Sequence, residues 1–424
     1  MNMFFERITS FFMSLCLLFG VFGAGVGVKS RVAVASLTLT AADISGGLTV
    51  TVPARMGTVR FNRVSFQYSA TAPVRAVFVY KQGGKEYTEE LLLSVKESAA
   101  VMLLNGYLNR KTASRLVSVR FEPVVADAPC TLSVTDFACE IQTAPKNTTV
   151  YMENDRYKVG VDLNLGGGLC SFTDKANGKY GNLLNCHDTG RLVQQSYYGP
   201  TEIEGYENGV YGGTVWGYNP VQGGDQYGNT GKLVAFEQTE NCIRVVCRPL
   251  DWALDGMPTF TYYTSVYTLT PAGLTVENTA VDFLQTPWDA RAQEIPAFYT
   301  ISALGAFVFY DGDAPWTDAP LRVERELEFW AGKPAFDLSP KNTETWCAWT
   351  DGDGYGVGLY TPIATSLLAG RYKYNGTADP GADPTNYVAP LGFFPLGFGE
   401  PFTYVCYLTA GTVSEIRQTF KGLR

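Results

Sequence analysis

Three carboxylates stand out because their neighbours are amides and aromatic rings rather than other charges: Asp188, Asp225 and Glu294. They fall in three of four dense polar clusters. The first is CHDTGRLVQQSYYGP (186–200), with Asp188, Arg191, Gln194, Gln195, Tyr197 and Tyr198. The second, VWGYNPVQGGDQYGNTG (215–231), carries Trp216, Asn219, Gln222, Asp225, Gln226 and Tyr227. The third, TPWDARAQEIPAFY (286–299), carries Trp288, Asp289, Arg291, Gln293 and Glu294. The fourth is TETWCAWTDGDGYGVGLYTP (343–362), followed by TNYVAP (385–390).

Amides, arginine, carboxylates and ring faces together suit a sugar. Hydroxyls pair with Asn, Gln, Asp and Arg, while the C–H face of a pyranose lies on Trp or Tyr. Hydrolysis needs an acid and a base or nucleophile. Glu294 is the expected general acid, because the apolar flank IPAFY would raise its pKa. Asp225 is the expected base or nucleophile, with Asp188 the third candidate. Arg191, Gln194, Asn219 and Gln222 would then position hydroxyls, with Tyr198, Trp216 and Trp288 as platforms. A polysaccharide lyase instead needs a Tyr, Lys or His base and a partner for the uronate carboxylate. Tyr197 or Tyr198 with Arg191 and Asn219 would serve. A third reading is a non-catalytic protein that grips a glycan with the same residues. Plainer explanations compete: Asp188 and Arg191 are spaced for an ion pair, and tyrosines favour strands anyway.

Other chemistries find little support. One histidine and no CxxC pair argue against a metal centre, and no cofactor motif is present. Gly223-Gly224 does not open a helix, so it is no dinucleotide fingerprint. Asp351-Gly352-Asp353-Gly354 reads as a hairpin turn rather than a calcium loop. A net charge of −8 argues against nucleic acid as a partner. The expected partner is an oligosaccharide or polysaccharide.

The elements that would position these clusters are strands. The 424 residues include 44 Gly, 25 Tyr and 25 Phe, and 46% are hydrophobic, enough for a full core with many turns. The fold class expected is all-β. Residues 1–35 read as a secretory signal peptide, with cleavage after Ala33-Val34-Ala35, or as an anchor helix. Either places the rest outside the cytoplasm, with no membrane contact beyond that segment. Residues 36–145 alternate in short bursts (VSFQYSA, VRAVFVY, RLVSVRFEPV) and predict a jelly-roll-like β-sandwich. TAPKNTT (143–149) reads as a linker, and 146–424 as the larger, site-bearing unit. Within it, 261–283 predicts a hairpin turning at TPAG. LRVERELEFW (321–330) predicts a strand with Leu321, Val323, Leu327 and Phe329 on one face. Thr412 to Glu415 predicts a capping box on one short helix. Eight cysteines follow Cys16 without a spacing that dictates pairing, and read as small buried hydrophobes.

SVYTLTPAGLTVENTAVDFLQTPWDARAQEIPAFYT and NDRYKVGVDLNLGGGLCSFTD resemble the galactose-mutarotase-like supersandwich, over roughly residues 148–424. DTGR is similar in position to that family's Gly-Arg substrate-binding element. The resemblance implies a large antiparallel supersandwich acting on carbohydrate, a fold shared by epimerases, glycoside hydrolases and polysaccharide lyases. The sequence departs from the epimerases: where their acid histidine would lie, this chain has Glu294, and its one histidine is His187. That departure points away from epimerisation and towards glycan cleavage.

Overall fold

A computed structural model describes residues 27–53, 61–95, 98–103, 114–329 and 342–424. Most of the expected signal segment, residues 1–26, lies outside these. Within the last part of that segment, Val28–Ala33 is a strand pairing antiparallel with Thr131–Gln142, with Arg31 opposite Glu140. The boundary expected at residue 35 falls just after this strand, at the short 3-10 turn Ala35–Leu37.

The chain is all-β. Two antiparallel sheets build the N-terminal unit, one of five strands and one of four. The alternation in Val74–Gln82 and Ser114–Pro123 sends Ala76, Phe78, Val119 and Phe121 inward onto Phe66 and Phe137. Fully burying each such ring stabilises by about 1.5–3 kcal/mol before entropy is counted.

The larger unit stacks a nine-stranded antiparallel sheet on a six-stranded one. The nine-stranded sheet runs from Lys232–Gln238 at one edge to Arg322–Glu324 at the other. It includes the predicted hairpin, with Thr270 paired to Gly273. Gly273 is required there: at φ +142 a Cβ would meet the Leu408 carbonyl oxygen at 2.1 Å. Alternate residues of this sheet face opposite ways. Leu233, Phe236, Val245 and Tyr263 enter the main core, while Val234, Tyr262 and Phe283 join the core of the N-terminal sandwich. Arg63–Glu237 at 2.7 Å and Gln142 Nε2 donating to Phe236 O at 2.6 Å reinforce that contact.

The six-stranded sheet has the order Leu250–Asp251, Pro220–Val221, Gln194–Ser196, Arg291–Ile301, Thr385–Phe394, Ser366–Tyr372. Ile295, Phe298, Ile301, Leu367, Ala369 and Val388 point into the main core. Ala297, Tyr387 and Ala389, with Tyr299, Leu368 and Leu391, cluster separately on the far face. That face looks away from the N-terminal sandwich and carries the candidate site.

Two smaller expectations differ in outcome. Thr412 caps the helix Val413–Lys421 through a full capping box, and Ile416 and Phe420 are buried beneath it. LRVERELEFW does not form one strand: Arg322–Glu324 pairs at the sheet edge, Glu328 makes a separate bridge to Arg371, and Val323 is 44% exposed. At a sheet edge Arg322 bonds Glu324 and Asp311, so the charged face dictates the local path there. Trp330 lies outside the described residues.

All eight cysteines among the described residues are free, and six are buried. Asp351 closes the Asp-Gly hairpin by accepting from the Asp353 and Tyr355 amides.

Candidate functional site

The central strand Arg291–Ile301 sets the geometry. Its pairing with Thr385–Phe394 shifts register between Glu294 and Phe298, so Glu294, Ala297 and Tyr299 reach the outer face while Ile295 and Phe298 stay in the core. Glu294 sits opposite Ser196 on one neighbouring strand and Leu391 on the other. Only 5% of it is exposed.

No cation pairs with Glu294 among the described residues. Two tyrosine hydroxyls converge instead on Oε1, from Tyr198 at 2.9 Å and from Tyr387. Burial pushes the carboxyl pKa up, and the Tyr387, Tyr198 and Ser196 hydroxyls only partly offset it. The neighbouring phenols move the same way. Tyr198, Tyr299 and Tyr387 lie well above the ordinary tyrosine value, first from burial and then from the Glu294 charge. Tyr198 is further fixed by Gln293, whose side chain accepts from its amide at 2.6 Å and donates to its carbonyl at 2.9 Å.

Around this floor stand two walls. One is aromatic: Trp216 meets Tyr198 edge-on at 6.1 Å and donates its indole N–H to Asn219. The other is charged. Arg191 contacts Asp188 at 3.4 Å and Asp383 at 2.9 Å, with its guanidinium 5.2 Å from the centre of the Tyr372 ring. Lys373 also holds Asp383, at 2.7 Å, and lowers its carboxyl below the usual value, with help from Arg191. Tyr299 feels the charges of Glu294, Asp188 and Arg191 together, so the floor and the charged wall are neighbours on the outer face of the sheet.

The opening stretch is therefore partly site and partly lacing. His187 Nδ1 lies 2.6 Å from the Gly381 carbonyl oxygen, and Asn185 donates to Ala382 O at 2.8 Å. These bonds seat the 379–383 loop that presents Asp383 to Arg191.

Of the eleven residues singled out in the sequence, five belong to this floor and its walls: Glu294, Asp188, Arg191, Tyr198 and Trp216. The other six are structural. Asp225, with no exposed surface, accepts from the Tyr227, Asn229 and Gly256 amides and from Asn229 Nδ2. Four donors occupy its lone pairs, so it braces a loop and cannot act as the base. Gln194 bonds Thr189 O, Gly190 O and the Gly223 amide. Gln222 bonds the Gln195 amide and Gly166 O. Asn219 donates to Tyr197 O and Ser196 Oγ beneath the site. Tyr197 packs in the core against Tyr263 and Phe394, and Trp288 is buried beside Tyr218 with its N–H on Asp282. All six share one cause: a polar or aromatic group next to a strand end is spent on internal partners, backbone groups for most and core side chains for Tyr197 and Trp288, that cannot be placed from sequence.

Sequence reasoning passed over Tyr299, Tyr372, Tyr387 and Asp383. Tyr299 closes the third cluster and Tyr387 lies in TNYVAP, both stretches quoted; Tyr372 and Asp383 sit at positions with no distinguishing pattern.

No family model and no curated protein matches the chain. Solved structures of the galactose-mutarotase-like fold do. A galactose mutarotase-like protein from Lactobacillus casei aligns at 12% identity and TM-score 0.39, covering 62% of this chain and 100% of that one. A galactose mutarotase related enzyme from Lactobacillus acidophilus aligns at 12% identity and TM-score 0.41, covering 62% and 97%. A 4-alpha-glucanotransferase from Thermococcus litoralis aligns at 10% identity and TM-score 0.33, covering 62% of this chain and 39% of that one. The likeness is one of strand arrangement.

Proposed function

We propose that the protein is a secreted carbohydrate-active enzyme, a glycoside hydrolase whose general acid is Glu294. The observation that carries this is a buried carboxyl with a raised pKa and, among the described residues, no cation partner, held by tyrosine hydroxyls beside an aromatic wall. Such a group holds its proton more tightly than an exposed glutamate and can deliver it to a glycosidic oxygen as the sugar C–O bond breaks. Asp188, whose side chain is 42% exposed, is the carboxylate we assign to take the proton from the incoming water.

The lyase alternative fits less well. Its base would be a tyrosine, yet burial makes Tyr198, Tyr299 and Tyr387 reluctant to ionise. Its uronate clamp would be Arg191, which already holds two of the protein's own carboxylates. A non-catalytic glycan-binding protein is the second reading. It is favoured by one observation: Asp188 is engaged by both Arg191 and the Gly190 amide.

Incubating the protein with a polysaccharide panel separates the three. Hydrolysis releases reducing ends without ultraviolet-absorbing products. Absorbing products would overturn the assignment in favour of a lyase, and retention in affinity electrophoresis without any product would leave a binding protein.

A further inference from the structure

We propose that the site takes an uncharged glycan several units long, its chain lying along a run of four rings that starts at Glu294 and curves round to Asp188 and Arg191. This rests on the carbohydrate reading above and names its substrate class. The run starts at Tyr198, on the acid itself. It passes to Trp216 at 6.1 Å, to Tyr211 at 5.3 Å and to Trp252 at 5.5 Å, each contact edge to face.

Two of the rings belong to a small hairpin, Gly209–Tyr211 with Thr214–Trp216, outside both large sheets. Its pairing sets Val210 against Val215 on one face, 54% and 71% exposed, and leaves Tyr211 and Trp216 on the other. A hairpin this short is not stable alone, so its ring contacts fix its place. At the far end Trp252 lies on Gly190, where a Cβ would meet the indole at 2.8 Å. The bare backbone there brings the ring beside Asp188 and Arg191. These rings are not core: Tyr211 is 38% exposed and Trp216 and Trp252 are half-buried, whereas Tyr197, Tyr218 and Trp288 are buried. Rings that follow one another and stay partly open offer stacking surface to successive pyranoses.

The charges decide between neutral and acidic sugars. Arg191 is shared between Asp188 and Asp383, Lys373 is on Asp383, and Arg371 is on Glu328 at 2.7 Å. A uronate or sulfate would have to displace one of these carboxylates. Sugar hydroxyls need not, because the Asp188 and Asp383 side chains are 42% and 37% exposed and can still accept.

The test is isothermal titration of the full chain carrying Glu294→Gln with oligosaccharide ladders. The neutral ladders come from cellulose, xylan, mannan and amylose, the acidic ones from polygalacturonate and alginate. The expected result is binding of one neutral ladder, with affinity rising at least tenfold from two to five units. Trp252→Ala or Tyr211→Ala should flatten that rise. Two substitutions guard against misfolding, since Tyr211 is the more exposed of the pair. Binding that is independent of length, indifferent to both ring substitutions, or stronger for acidic ladders overturns this inference and leaves the carbohydrate reading standing. No binding to any ladder overturns both.

Discussion

Tyr198 donates its hydroxyl to Oε1 of Glu294 at 2.9 Å, across the junction where Ser196 pairs with Glu294. The bond joins the first polar cluster of the chain to the third. Because Tyr387 donates to the same oxygen, the acid is held from both neighbouring strands. A carboxyl positioned by two phenols, with no cation on it among the described residues, is oriented while its proton affinity stays high.

Tyr387→Phe removes one of those donors. The lost hydrogen bond favoured the charged form, so the Glu294 pKa should rise further. The alkaline limb of the kcat/KM profile should then move up by about one pH unit, the scale of a single hydrogen bond to a charged group. A limb that stays or moves to lower pH would show that Glu294 does not set it.

Glu294→Gln should stabilise the fold at neutral pH. Folding raises this pKa above the ordinary 4.5, so the wild-type contribution is fully present below that value. It is lost as pH rises through the folded value. The substituted amide does not titrate, so its advantage should be about 1–2 kcal/mol at pH 8 and vanish near pH 4. Thermal unfolding at the two pH values reads this directly. An equal shift at both would mean the carboxyl is not strained by burial.

Asp225→Ala should act on stability rather than chemistry. Removing the acceptor leaves buried amides of Tyr227, Asn229 and Gly256 without their partner. A cost of about 2–4 kcal/mol is expected, since each orphaned donor carries a desolvation penalty. Turnover measured well below the lowered unfolding temperature should stay within about threefold of wild type, because a base of the reaction would lose on the order of a hundredfold or more. A loss of that larger size would restore Asp225 as a catalytic group.

Glu344→Ala tests what anchors the C-terminal helix. Arg417 and Glu344 form a buried pair, with Glu344 also accepting from the Trp346 indole. Breaking a buried pair from one side should cost about 3–5 kcal/mol, visible in denaturant unfolding. A change below 1 kcal/mol would mean the guanidinium finds water or another partner.

How far the sequence could be read follows from what each signal encodes. Period-two alternation and the Thr412 capping box are local, so most strands, the hairpin at Thr270–Gly273 and the C-terminal helix were legible. Glu294 was legible too, because IPAFY states its surroundings within a few residues. Asp225 and Trp288 were not, since a polar or aromatic side chain in a loop looks the same whether it faces ligand or braces backbone. Asp225 turned inward onto Asn229 and Gly256, and Trp288 onto Asp282. Tyr299 and Tyr387 depend on the register between Arg291–Ile301 and Thr385–Phe394, strands about ninety residues apart, whose pairing no local pattern specifies.

The most direct test of Glu294 as the acid is the pair of values for Glu294→Gln on the glycan the panel identifies: turnover and affinity, measured at the wild-type pH optimum. A fall in kcat of about a hundredfold or more, with affinity kept within threefold, is the result expected of a lost proton donor in an intact site. Undiminished turnover by the amide would contradict it.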